Sequence, residues 1–313
     1  MKTVKDFDVK NKRVLLRVDF NVPLDDRGEV QDDFRIKQTI PTITYLQNKG
    51  AILVLATHRS DDRSLASIWK RLGEYIDTTN IEFLDNLRLN EGEEVNSQSF
   101  SKELASLADI YINDAFGVCH RKHASIVGIT KYLPSGAGLL LEKEMKVLSM
   151  ILKNPKYPLT AIIGGAKIQS KAKVIKNFLK IADNVLIGGK IGFDLKEKSA
   201  KLYIPVDYNN KLDIGPKTIK IFQEIIKKSK MIVWAGPMGK FEDSLYEKGT
   251  KKIAKEIANS KAFKVAGGGD TINALRKYRL RDKFDHVSTG GGAMLAFLAE
   301  EKLPGLVALE KWR

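Results

Sequence analysis

Four apolar runs in the second half of this chain stop abruptly at glycine, and that punctuation limits the fold more than any other feature. Leu159–Ile163 runs into Gly164 and Gly165, and Asn184–Ile187 into Gly188 and Gly189. Met231–Trp234 runs into a turn at Gly236–Gly239, and Ala262–Ala266 into Gly267, Gly268 and Gly269. Each run has the length of a buried strand. Helical patterns follow at Ile168–Leu179, at Leu245–Ala258 and through Ile272, Ala274 and Leu275. Strands alternating with helices predict an α/β fold with a parallel sheet. In open sheets of that kind ligands sit at the C-terminal strand ends, where glycines let backbone approach a ligand closely.

The stretch Ala262–Leu275, AFKVAGGGDTINAL, shows what such a turn can hold. Unpaired N–H groups at a helix start point at an anion, with the helix dipole behind them. Asp270 beside them could hold Mg2+ against a phosphate. A tight turn capped by Asp270 or Thr271 explains the same residues. Ser288–Ala293, STGGGA, repeats the arrangement and favours phosphate.

Charge is divided unevenly. Residues 1–155 hold 22 Lys and Arg against 22 Asp and Glu, whereas residues 156–313 hold 31 against 16, which carries the whole net charge of +15. An anionic ligand in the second half is one reading, and a solvated lysine coat the other. Pairs such as Lys227–Lys228 and Lys251–Lys252 lie in helix-like stretches with apolar faces, as solvated faces do. Nucleic-acid surfaces usually add arginine clusters or interleaved aromatics, and this half has four Arg. One cysteine, Cys119, excludes a disulfide framework and points to the cytoplasm. The N-terminal residues form no apolar signal segment, and no run reaches membrane length.

The first half alternates in the same way. Strands are expected at Arg13–Phe20, Ala51–Ala56, Ile81–Leu84 and Asp109–Ile112, and helices at Phe34–Gln47, Leu65–Tyr75 and Lys102–Leu107. A continuous helical pattern over Leu139–Leu152 ends at the NPKYP stretch, where the charge balance also changes. That is the expected boundary, giving domains at 1–153 and 154–299.

Several signatures are missing. GPMGKF at 236–241 has the wrong spacing for a P-loop, Gly188, Gly189 and Gly192 do not complete a dinucleotide fingerprint, and no G-x-S-x-G elbow occurs. His58, His120, His123 and His286 lack metal-site spacing with cysteine. His120 and His123 flank Arg121 and Lys122, which suits contact with an anion or a basic surface loop. Lys167 and Lys171 lie four apart, so on a helix beginning at the glycines they would share a face over a polyphosphate. In the first half Arg35, Arg59 or Arg63, Arg88 and Arg121 stand at loop edges. Arginine binds phosphate bidentately and stays charged. Asp19 and Asn21 stand at a strand end where apolar residues are expected, and suit a hydroxyl-bearing substrate.

Ten stretches in order resemble the phosphoglycerate kinase family. They are RVDFNVPL (17–24), DFRI (33–36), DNLR (85–88), NDAFGVCHRKHAS (113–125), GGAKIQSK (164–171), DIGPKT (213–218), WAGPMGKFE (234–242), VAGGGDT (265–271), STGGGA (288–293) and LPG (303–305). The resemblance implies two Rossmann-like three-layer α/β/α domains with parallel sheets, joined by a helix and hinge, with residues 300–313 packing back on the first domain. It implies a monomer without a nucleic-acid or membrane partner. The activity implied is reversible phosphoryl transfer from 1,3-bisphosphoglycerate to ADP, giving 3-phosphoglycerate and ATP, with Mg2+. In the first domain Asp19 and Asn21 would touch the hydroxyl and carboxyl end of the substrate. Arg35, His58, Arg59, Arg88 and Arg121 would hold phosphate. In the second, Lys171 with Gly165, Gly188 and Gly189 would bind nucleotide, Glu242 the ribose, and Gly267, Gly268, Gly269, Asp270 and Thr271 the phosphates and Mg2+, the metal through Asp270. Arg35, Lys167, Gly268 and Gly291 would act on the moving phosphoryl group, with the Gly290–Gly292 turn adding N–H groups. Closure is expected about Leu139–Leu152 or the STGGGA turn.

The chain is short for that family. The loop after His58 is compressed, so Arg59 and Arg63 compete for one arginine role. The stretch between Asp77 and Asp85 is nearly gone, and between Asp194 and Asp213 only LKEKSAKLYIPVDYNNKL remains. Ala235 and Lys190 replace an asparagine and a glycine. These losses predict an intact phosphate apparatus and a more open base pocket. A relative with little turnover and a basic nucleic-acid binder are the rival readings. Retention of Arg35, Lys167, Lys171, Glu242 and Asp270 argues against the first, and the helix-face lysines against the second.

Overall fold

The computed structural model describes residues 1–61, 63–166, 168–169, 171–195 and 197–312. Two compact units emerge, Met1–Lys146 with Lys302–Arg313, and Val147–Glu301. The division falls within one helix, Leu139–Lys153.

The first unit is built on five strands: β1 (Arg13–Arg17), β2 (Ile52–Ala56), β3 (Ile81–Phe83), β4 (Ile110–Asn113) and β5 (Ser135–Ala137). They lie in the order β3-β2-β1-β4-β5, and every neighbouring pair is parallel. Parallel sheets are covered on both faces, so their strands read as continuous apolar runs. Val14, Leu15 and Leu16 of β1 are accordingly buried without alternation. The Phe34–Asn48 helix makes the crossover to β2 and buries Ile36, Ile43 and Leu46. The Pro304–Glu310 helix rests against the same unit, with Gly305 N–H donating to the Cys119 carbonyl at 2.9 Å and Trp312 Nε1 to the Thr130 carbonyl at 2.9 Å. Cys119 is buried under it, and burial pushes its thiol up to about 12. In native protein Cys119 is therefore expected to resist a disulfide reagent such as DTNB for hours and to react at once in denaturant. Prompt native labelling would contradict this packing.

The second unit carries eight strands: β6 (Leu159–Ile163), β7 (Asn184–Ile187), β8 (Leu202–Tyr203), β9 (Tyr208–Asn209), β10 (Asp213–Ile214), β11 (Met231–Ala235), β12 (Phe263–Gly267) and β13 (His286–Ser288). Six form one parallel sheet in the order β13-β12-β11-β6-β7-β8, and β9 and β10 make a small antiparallel ribbon. Counted within this six-stranded sheet, this is the doubly wound order whose direction reverses between its first and fourth strands. Here those strands are β6 and β11, so the crevice opens beyond Ile163 and Ala235. The expected two-domain parallel α/β architecture is what the chain adopts. Among the described residues, no helix is long and apolar enough to cross a membrane.

Local differences have physical causes. β1 stops at Arg17, so Asp19 and Asn21 lie in the loop beyond it. The helix after β6 starts at Ala172, not at the glycines, and Lys171 occupies its N-cap position. Of the expected Lys167 and Lys171 pair, Lys171 thus precedes the first turn of the helix. Lys167 itself lies outside the described residues.

Candidate active site

At the C-terminal ends of β1 and β4 the first unit gathers its buried charges. Arg35, in the first turn of its helix, sets Nη1 3.1 Å from Asp19 Oδ1, 3.0 Å from Oδ2, and 3.1 Å from the Asn21 carbonyl. Burial pushes the Asp19 carboxyl up, but Arg35 and Arg17 outweigh it and hold the group below the usual range. Asn21 is fixed by Ser60, Nδ2 to Oγ at 2.8 Å. His58 is buried, with its Nδ1 3.1 Å from Arg17 Nη2. A guanidinium can only donate, so Nδ1 accepts and the ring proton sits on Nε2. Burial first, then Arg17, brings His58 down to about 3. It is thus a neutral donor, not a cation.

His58 also feels Arg88 and Arg121. Those two arginines share Glu94, at 3.1 and 4.0 Å. Arg88 Nε is buried and makes no hydrogen bond despite that closeness. Asp19, Arg35, His58, Arg88 and Arg121 therefore form one electrostatic neighbourhood with cations in excess. Arg59 is placed differently: Nε and Nη2 grip Asp61, both at 2.7 Å, and Nη1 donates to the Val22 carbonyl at 3.1 Å. Arg63 takes the other side of Asp61 at 3.0 Å and is half exposed. One carboxylate thus binds both candidates for the single arginine role.

In the second unit the glycine turns meet at the sheet's reversal point. Lys171 Nζ donates to the Gly164 carbonyl, and a Cβ on Gly236 would stand 2.5 Å from the same ammonium. Asp270 acts on it from the next turn. Burial pulls Lys171 down to about 8, against the pull of Asp270. Gly291 lies on the other turn, where its Cβ would come 2.7 Å from Gly268 Cα, so the two glycine-rich helix starts touch backbone to backbone. Beside them opens a cavity of about 270 Å3 lined by Gly165, Gly189, Leu212, Pro237, Glu242 and Asp270, with Lys190, Lys211 and Lys240.

Not every predicted glycine faces open space. Gly188 packs against Met238, and Gly267 against Met294 and Ser288. A Cβ on Gly269 would meet nothing within 4 Å. Thr271 is buried, and its Oγ1 accepts the Gly236 N–H at 2.7 Å. Two turns are braced by that bond.

A profile of the phosphoglycerate kinase family matches residues 4–85, 74–204 and 194–301. The chain belongs to the phosphoglycerate kinase family. A phosphoglycerate kinase of Finegoldia magna is 39% identical over an alignment of 393 positions, covering 99% of this chain and 99% of that protein. The chain has 313 residues, so about 80 of those positions are gaps in it. Two solved phosphoglycerate kinases have the same fold across 99% of this chain and 98% of theirs. The Pyrococcus horikoshii enzyme has a TM-score of 0.89 at 31% identity, and the Coxiella burnetii enzyme 0.85 at 29%.

A buried network of Arg17, Ser125 and Glu93 lies outside the site residues expected from the sequence. Arg17 is fully buried and donates from Nε to Ser125 Oγ at 2.8 Å and from Nη1 to the Val18 carbonyl. Ser125 Oγ donates onward to Glu93 Oε1 at 2.6 Å, and Ser125 N–H to Oε2 at 2.9 Å. His123, for which an anion contact and a basic surface loop were both expected, is buried and stands 3.6 Å from the buried Glu93 carboxylate. The signal for Arg17 was available: a charged residue interrupts the apolar run RVLLRVDF, as Asp19 does.

Proposed function

We propose that the chain transfers the acyl phosphoryl group of 1,3-bisphosphoglycerate to ADP, reversibly, giving 3-phosphoglycerate and ATP. The observation that carries this reading is the cradle around Lys171. Its backbone turns come too close for any side chain, and they hold one half-buried ammonium between them in a chain of this family. Such a cradle suits phosphate oxygens, since backbone N–H groups and a partly desolvated cation stabilise charge without reorganising.

In this proposal Asp19 and Asn21 orient the three-carbon acid. Arg35, Arg88, Arg121 and a neutral His58 hold its phosphate and neutralise charge, and Glu242 takes the ribose in the 270 Å3 cavity. Lys167 is assigned the moving phosphoryl group by resemblance alone. The leaving group is a carboxylate, which needs no general acid. Reaction requires both substrates in one water-free space, and hinge closure belongs to the proposal for that reason.

Among the described residues, no group of three or more His, Cys, Asp or Glu is gathered for a metal. Mg2+ would rest on Asp270 and the nucleotide's own oxygens, a donor set that suits this ion. When bound it draws charge from those oxygens. The same reading makes the chain a monomeric cytoplasmic enzyme without a nucleic-acid partner. Lysines paired along helices, such as Lys227 with Glu224 and Lys251 with Glu247, support it.

The test supplies ATP and 3-phosphoglycerate with glyceraldehyde-3-phosphate dehydrogenase and NADH, and follows NADH loss. Lys171→Ala removes charge-assisted bonds of about 1.5–3 kcal/mol, so turnover at subsaturating ATP should fall roughly 10- to 100-fold. Wild-type signal no higher than this variant's would sink the proposal.

A pH effect follows as well. Lys171 must be protonated to hold an anion, and in the free chain it loses its proton near 8. The Kd for MgADP should therefore rise above pH 8, by up to about tenfold per unit, since bound phosphate must restore the proton. Lys171→Arg should flatten that slope, because a guanidinium stays charged. Equal slopes in the two proteins would remove Lys171 from nucleotide binding.

A further inference from the structure

A second cavity, of about 410 Å3, opens in the first unit and shares no lining residue with the candidate site. Its floor is apolar: Val127 from the turn after His123, and Val307 and Ala308 from the C-terminal helix. The floor is held in place by the bonds from Gly305 to Cys119 and from Trp312 to Thr130, so it is not a loose tail laid over the surface. Val307 nevertheless remains 42% exposed. Lys122, Lys131, Lys302 and Lys311 ring this floor. All four are exposed, and none makes an ion pair of 4 Å or less with a described residue.

Four unpaired ammonium groups around a low-dielectric floor create a positive potential that attracts anions. Lysine stems can lie along apolar surface while their heads stay at the rim. A polar anion alone would leave the floor wet, and a neutral apolar molecule would leave the charges unmatched. The volume falls in the range of small-molecule pockets, roughly 300–1,000 Å3. We propose that this groove binds a small amphipathic organic anion, its apolar body on Val127, Val307 and Ala308 and its carboxylate among the four lysines.

Decanoate titrated into the full chain by calorimetry tests this, with decanol as the neutral analogue. One saturable site is expected, unaffected by saturating ADP, with decanol at least about tenfold weaker. Lys131→Glu/Lys302→Glu should weaken decanoate at least about tenfold, and Lys131→Gln/Lys302→Gln less. Val307→Asp should weaken it through the floor. Circular dichroism melting checks that each variant is folded, and the lysine variants should keep wild-type NADH-coupled turnover. Absence of a saturable site, displacement by ADP, unchanged affinity in the folded charge and floor variants, or binding only to phosphatidylglycerol vesicles would each overturn the proposal.

Discussion

Arg17→Met is expected to cost about 3–5 kcal/mol of stability, because it strands a buried carboxylate. Glu93 is fully buried and is held ionised below its usual range: burial works against it, and His123, Arg17 and Ser125 outweigh that. Arg17 reaches it mainly through Ser125, since the direct approach is 3.9 Å. Methionine fills similar volume but returns no charge. The double variant Arg17→Met/Glu93→Gln removes both ions and should recover part of the loss, with a coupling energy above about 1 kcal/mol in urea unfolding. A second readout is His58. Arg17 is the largest electrostatic cause keeping its ring neutral, after burial. The His58 titration followed by NMR should therefore move upward in Arg17→Met. A loss under about 1 kcal/mol, with His58 unmoved, would mean that the network neither stabilises the unit nor sets the ring's tautomer.

Gly236→Ala should abolish nucleotide binding at millimolar ADP and destabilise the second unit by about 2–4 kcal/mol. Gly236 has φ +101°, in the region that disfavours any Cβ. The added carbon would press on the Gly164 carbonyl and stand 2.5 Å from Lys171 Nζ. The backbone has little freedom to yield, since Gly236 N–H is bound to Thr271 and its carbonyl accepts Trp234 Nε1 at 2.8 Å. Gly28→Ala separates strain from clash. Gly28 has φ +80° but nothing within 4 Å of a Cβ, so it should cost only about 1 kcal/mol. If calorimetry found ADP affinity in Gly236→Ala within threefold of wild type, the cradle would not be the phosphate site.

The parts of the fold that carry strong patterns could be read from the chain. β6 and β7 are found at the residues expected from their apolar runs, and Leu139–Lys153 within one residue. The missed strands had no pattern to read. β8, β9 and β10 have two residues each, and β5 is Ser-Gly-Ala. The start of the helix after β6 at Ala172 was not legible, because helical periodicity in the sequence does not reveal where the turn at Gly164 and Gly165 ends. Site residues announced themselves where polar groups broke an apolar run or glycines clustered. What the sequence did not give was the direction each side chain takes. Arg59 turns to Asp61, His123 to Glu93 and Thr271 to Gly236, and these pairings join residues 2, 30 and 35 positions apart.

The edge of the second sheet also sets a floor on how small this fold can become. β8 runs parallel to β7, and parallel neighbours need a crossover of about a dozen residues or more. Residues 188–201 make that crossover, which leaves almost nothing to remove. A further deletion there would force β8 off the sheet and leave Leu186 and its neighbours in β7 as an unpaired edge, open to pairing with another chain. At this edge the 14-residue connection stands close to the minimum for a parallel crossover.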